Sequence, residues 1–146
     1  MAKAARAIII ESENILVMYR NKHGDEYYTL VGGRLSDGET PEQALVREVQ
    51  EETGLVITAA RLVFFEDHPE PYNQQYIYLC NVAPHGEVDV QEMSEEGMMN
   101  KFEMNIHRPE WIHIASLDKI AFRTPALQTA IVHGIRNGFP SQAVKI

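Results

Sequence analysis

The chain has 146 residues, enough for one ordinary domain with a real hydrophobic core. Its 45% hydrophobic and 23% charged residues are those of a globular protein. A formal net charge of −8 argues against sequence-independent binding to long nucleic acid, which draws its affinity from many Lys and Arg contacts to phosphate. A small phosphorylated substrate stays compatible, because a bound metal ion inverts the local charge. Cys80 is the single cysteine, so no intramolecular disulfide is available and a reducing, cytoplasmic compartment is expected. The apolar run Ala7 to Ile10 is too short for a signal peptide, and no stretch is long enough to span a membrane.

In chain order, Arg6–Ile10 and Ile15–Tyr19 are short β-rich runs separated by Glu11-Ser12-Glu13-Asn14, which predicts a hairpin. Asn21–Glu26 is a polar turn, and Tyr27–Val31 a strand that delivers the chain into Gly32-Gly33. After one long helix, Leu55–Ala60 and Arg61–Asp67 read as two strands, and the prolines of His68–Asn73 as a loop. Gln74–Val82 alternates, with Tyr76, Tyr78 and Cys80 on one side and Ile77 and Leu79 on the other, so it is a strand buried on at least one face. The Met-rich segment Glu87–Asn105 reads either as a surface loop or as a substrate lid or partner-contacting loop. Pro109–Ile114 is a final strand and Ser116–Ile120 a helical turn. Thr124-Pro125 caps a helix that carries Leu127, Ile131 and Ile135 on one stripe and ends before Gly138.

The rest of the chain serves the stretch Gly33–Leu55. Thr40 is an N-cap, Pro41 suits the first helical position, Gln43 completes a capping box, and Gly54 is the left-handed residue beyond the end. Residues turn by about 100° each, so Glu48, Glu51 and Glu52 share a face, with Val46 and Val49 on the core side and Leu45 at the border. Crowded carboxylates repel, at a few tenths of a kcal/mol per pair, and Arg47 relieves part of this through Glu51. Such a face is either a solvated acidic surface or a site for a hard divalent cation such as Mg²⁺.

The spacing weighs on that choice. Gly33, Glu39 and then Arg47-Glu48-Val49-Gln50-Glu51-Glu52-Thr53-Gly54-Leu55 resembles the Nudix box of the MutT-like hydrolases at every fixed position. In place of the tryptophan and proline common on the approach to that box, this chain has Tyr28 and Val31. The resemblance implies an α/β (α+β) Nudix fold, a mixed β-sheet sandwiched between helices, as one domain over residues 1–146. It implies Mg²⁺-dependent pyrophosphohydrolysis, with Mn²⁺ a substitute, of a nucleoside diphosphate linked to another moiety. A nucleoside triphosphate, ADP-ribose or another sugar nucleotide, or a dinucleoside polyphosphate would each qualify. A non-catalytic nucleotide sensor on the same fold is the alternative. By the same resemblance the metal ligands are Glu48, Glu51, Glu52 and the Gly32 carbonyl, with Arg47 orienting the glutamates and Glu39 supporting them. The general base is Glu48 or, from a later loop, Glu95, Glu96 or Glu103. Arg34 is assigned to substrate, and Tyr27, Phe65, Tyr72 or Tyr76 could supply an aromatic platform or ordinary sheet packing. The expected partner is a small-molecule nucleotide, with no long nucleic acid and no membrane, and a homodimer is a candidate assembly. The six histidines have no ligand spacing, and no G-x-S-x-G occurs, so zinc and covalent catalysis are unsupported.

Overall fold

A computed structural model describes residues 2–69, 73–88 and 105–146. Tyr72, Glu95, Glu96, Glu103 and nearly all of the Met-rich segment lie outside the described residues.

Strand β1 (Lys3–Glu11) is the axis of the fold. One edge pairs in parallel with β6 (Gln74–Val82) from Lys3 to Ile9. The other edge is shared. Ala4–Ala7 pair with β4 (Val31–Arg34), and Ile10 and Glu11 pair with β2 (Asn14–Lys22) across a two-residue turn. The sheet therefore forks along this edge. One limb runs on through β6 to β5 (Ile57–Asp67) and the short β8 (Val144–Lys145); the other joins β2 to β3 (Asp25–Thr29) and β7 (Asn105–His113). Leu30 carries the chain from β3 in one limb to β4 in the other.

Helices lie on both faces, as expected from the sequence. Helix α1 (Pro41–Thr53) starts with the full capping box, the Thr40 hydroxyl accepting from Gln43 N and the Gln43 side chain accepting from Thr40 N, and ends at left-handed Gly54. It buries Ala44, Leu45 and Val49 against Ala5, Ala7 and Ile9 of β1 and Tyr78 and Cys80 of β6. Helix α2 (Pro125–Asn137), capped by Thr124, buries Leu127 and Ile131 against Ile8, Val63, Phe64 and Ile77. β6 is thus buried on both faces.

Several boundaries differ from the expectations. Residues 57–67 form one bulged strand, because its register shifts at Ile57/Ala59 and Leu62/Phe64 bend it without breaking its pairing with β6. The polar stretch Asn21–Glu26 shrinks to a two-residue turn at His23 (φ 53°) and Gly24 (φ 91°), so the strands run through Lys22 and Asp25. Tyr27–Val31 is divided between β3 and β4. β7 begins at Asn105 because it pairs with β2 along its whole length, and it is followed by β8.

On α1 the apolar and acidic faces are not separate. Glu52 follows Leu45 by two turns and lies on the buried stripe at 3% exposure, whereas Val46, expected in the core, is 43% exposed. Leu45→Ala should therefore cost about 2–5 kcal/mol of stability and Val46→Ala no more than about 0.5 kcal/mol, read from urea unfolding midpoints.

Candidate active site

Burying Glu52 requires a hydrogen-bond donor. The Gly32 N–H donates to its Oε1 at 2.7 Å. Gly32 reaches this position at φ 132°, and a Cβ there would sit 2.1 Å from the Ala5 carbonyl oxygen across the β1–β4 pairing. Gly33 passes as close to the helix, since a Cβ on it would meet the Glu48 carboxyl at 2.6 Å. The glycine pair thus lets a strand backbone lie against two glutamates of α1.

Arg47 braces Glu48, and with it Glu39 and Glu51, from the open side. Its Nε and Nη2 donate to the two oxygens of Glu39 at 2.7 and 2.8 Å. Its Nη1 donates to Glu48 Oε1 at 2.8 Å and to Glu51 Oε2 at 3.4 Å, while Nη2 also donates to the Arg34 carbonyl at 3.1 Å. Glu39 accepts in addition from Ser36 N at 2.7 Å, which ties the glycine-rich loop to the helix. The Arg47 guanidinium, helped by that backbone N–H, holds the Glu39 carboxyl down at about 2.

Glu48 and Glu52 line a polar cleft of about 270 Å³ with Gly32, Gly33 and Arg34. Glu51 is not among the lining residues and stays partly exposed beside Arg47. The sequence reading missed the opposite wall: Arg6, Arg20, Asn105 and His107. Arg6 Nη1 donates to the Gly32 carbonyl at 3.0 Å and to the Leu30 carbonyl at 3.4 Å. Burial lowers its pKa, and Glu52 and Glu48 oppose that shift. Burial, with Arg20 nearby, pushes the His107 imidazole down to about 4, so this wall presents a neutral ring at neutral pH. A lone arginine inside the apolar strand Ala4–Ile9 was the signal that could have revealed this wall.

Of the expected substrate contacts, Arg34 lines this cleft and Tyr27 an adjoining one. Tyr27 is not a bare platform, because the Arg123 guanidinium lies over its ring at 3.9 Å. Phe65 lines neither cleft; its ring packs edge-on against Tyr76 at 5.2 Å.

Among the described residues, no group of three or more His, Cys, Asp and Glu side chains is arranged to hold an ion by itself. Two carboxylates on one wall of an open polar cleft fit Mg²⁺ nevertheless, since that ion is commonly held by one or two carboxylates, with water and substrate phosphates completing its shell.

A model of the NUDIX domain matches residues 1–128. The chain belongs to the Nudix family. It is similar to an NAD-capped RNA hydrolase NudC of Pectobacterium carotovorum (34% identity over 91 residues, 61% of this chain and 35% of that protein). It is also similar to an 8-oxo-dGTP diphosphatase of Proteus vulgaris (39% over 70 residues, 47% of this chain and 62% of that protein). This Nudix chain thus spans about a third and just under two thirds of the lengths of these two relatives. In fold it resembles the E. coli ORF135 protein (TM-score 0.68, 21% identity, covering 97% of this chain and 95% of that one).

Two outcomes follow from the Nudix site's geometry. Gly32→Ala should cost about 3 kcal/mol or more, because its Cβ meets immovable backbone, while Gly33→Ala should cost less, because the Glu48 side chain can swing aside. Chemical denaturation of the two variants checks the order. Glu39, whose folded pKa is depressed, contributes stability that is present above its ordinary value of 4.5 and is lost as pH falls toward about 2. The stability advantage of wild type over Glu39→Gln, measured from pH 7 to pH 2, should shrink across that interval.

Proposed function

We propose that the chain is a divalent-cation-dependent hydrolase of a phosphoric anhydride bond in a nucleoside diphosphate linked to a further group. The observation that carries this reading is the pair Glu48 and Glu52 on one wall of a polar cleft, each fixed by a neighbour, Arg47 for one and Gly32 N–H for the other. The hydrolase and diphosphatase names of its relatives support the reaction class.

Glu48 and Glu52 are the proposed ligands of Mg²⁺ or Mn²⁺, with the Gly32 carbonyl and Glu51 as further candidates. The bound ion would supply charge neutralisation of the phosphate oxygens and a lowered pKa for a water molecule. Arg47 keeps the Glu48 carboxylate turned toward the cleft, and Glu39 keeps Arg47 in place. Glu48 is the proposed general base, taking the proton of the attacking water. Arg34 faces the substrate from the same wall. Because His107 stays neutral, it adds no competing cation beside the metal ligands. The proposed setting is the cytoplasm, where a buried free thiol such as Cys80 stays reduced.

The test is a panel of nucleoside triphosphates, ADP-ribose, sugar nucleotides and dinucleoside polyphosphates, assayed with Mg²⁺, Mn²⁺ or a chelator. Glu52→Gln keeps an oxygen to accept from Gly32 N–H, so its unfolding midpoint should stay close to that of wild type. Its kcat should nevertheless fall by about 10²-fold or more. Undiminished turnover in that variant, or turnover indifferent to the chelator, would overturn the assignment.

A further inference from the structure

The fork in the sheet builds a second cleft that the proposed reaction does not use. Side chains alternate along strands, so Met18, Arg20 and Lys22 of β2 share a face with Asp25, Tyr27 and Thr29 of β3. That face borders a cleft of about 370 Å³. Arg6, Arg20, Thr29 and Arg34 line both clefts, which makes one continuous trough starting at the glutamates.

The charge of its walls is opposite to that of the chain. Arg6, Arg20, Lys22, Arg34 and Arg123 line it, against Asp25 as the one carboxylate among the described lining residues. Two of the five cations face carboxylates. Arg123 donates to both oxygens of Asp25 at 2.9 and 3.0 Å, and Arg6 faces Glu48 and Glu52. Arg20, Lys22 and Arg34 form no ion pair among the described residues. Arg20 spends Nη2 on Asn105 Oδ1 at 3.1 Å, while its Nε is buried with no hydrogen-bond acceptor among the described residues. Lys22 and Arg34 are exposed and solvated, but the Arg20 Nε is a buried donor with no acceptor among the described residues, a costly arrangement that a ligand oxygen would complete.

The aromatic residue here does not argue for a base. Tyr27 has Arg123 over its ring at 3.9 Å and Arg20 near it at 5.6 Å, so the ring serves as a support for cations. Arginine forks suit phosphate oxygens.

We propose that this cleft binds a phosphate group carried by the substrate away from the bond that is cleaved, so that the chain favours nucleotides bearing a phosphate beyond the scissile diphosphate over those whose distal group is neutral. The inference rests on the hydrolase reading for its substrate and on the cleft alone for its anion.

The test compares ADP-ribose with ADP-ribose 2′-phosphate and adenosine 5′-tetraphosphate, all with Mg²⁺. At low salt, kcat/KM for one of the phosphate-bearing compounds should exceed that for ADP-ribose by at least about 10-fold, and the preference should shrink as salt rises. Lys22 is exposed at the end of β2, so Lys22→Glu should fold, and it should reduce the preference to within about 3-fold. A second measurement is independent of turnover. Calorimetry with inorganic tripolyphosphate in the presence of chelator should show binding that Lys22→Glu weakens by about 10-fold. Equal kcat/KM across the three compounds, with no tripolyphosphate binding, would overturn the anion site and leave the hydrolase reading standing. Tripolyphosphate binding that depends on Lys22 without turnover of any nucleotide would support the site and reject the hydrolase.

Discussion

The contact on which this structure turns is between a helix carboxylate and a strand peptide: Glu52, buried on the core stripe of α1, against the N–H of Gly32. A carboxylate removed from water without a donor would cost several kcal/mol, enough to threaten a fold of ordinary stability. Satisfying it by a backbone donor requires β4 to come within hydrogen-bond distance of the helix, and only glycine at 32 allows that approach beside Ala5. The core of the sheet and the acidic wall of the cleft are therefore built by the same contact.

Charge on the other side of that contact is balanced by arginines of two kinds. Arg47 holds Glu39, Glu48 and Glu51 from the solvent side, and Arg6 meets Glu48 and Glu52 from within β1 while donating to Gly32. A buried carboxylate group flanked by fixed guanidinium groups is pre-organised, so little rearrangement is needed when a charged ligand arrives. The brace is local: Arg47 lies one turn of helix from Glu51 and beside Glu48, which is why a short motif contains nearly all of it.

The second consequence comes from the fork at β1. Because β2 and β4 share one edge of the same strand, the limbs separate and leave a trough between them. The glutamates of α1 stand at one end and the cations of β2 at the other. The chain is acidic as a whole, yet the groove is polarised, with carboxylate oxygens giving way to guanidinium and ammonium groups. Such a gradient orients a charged ligand before contact is made.

By itself the sequence determined whatever depends on neighbours along the chain. The caps of α1 and α2, the alternation of Gln74–Val82 and the family spacing of Gly33 to Leu55 are set by backbone hydrogen bonding and side-chain period within a few residues. Tertiary structure alone decided that Glu52 and not Val46 faces the core, because the orientation of a helix is fixed by what β1 and β6 offer it, here the small Ala5 and Ala7 and a free glycine peptide. It also decided that residues 57–67 stay one strand, since a bulge is legible only against its partner. And it assembled the far wall of the cleft from Arg6, Arg20, Asn105 and His107, three strands whose residues are up to about a hundred positions apart; pairing across a sheet, unlike spacing along a chain, leaves no periodic mark in the sequence.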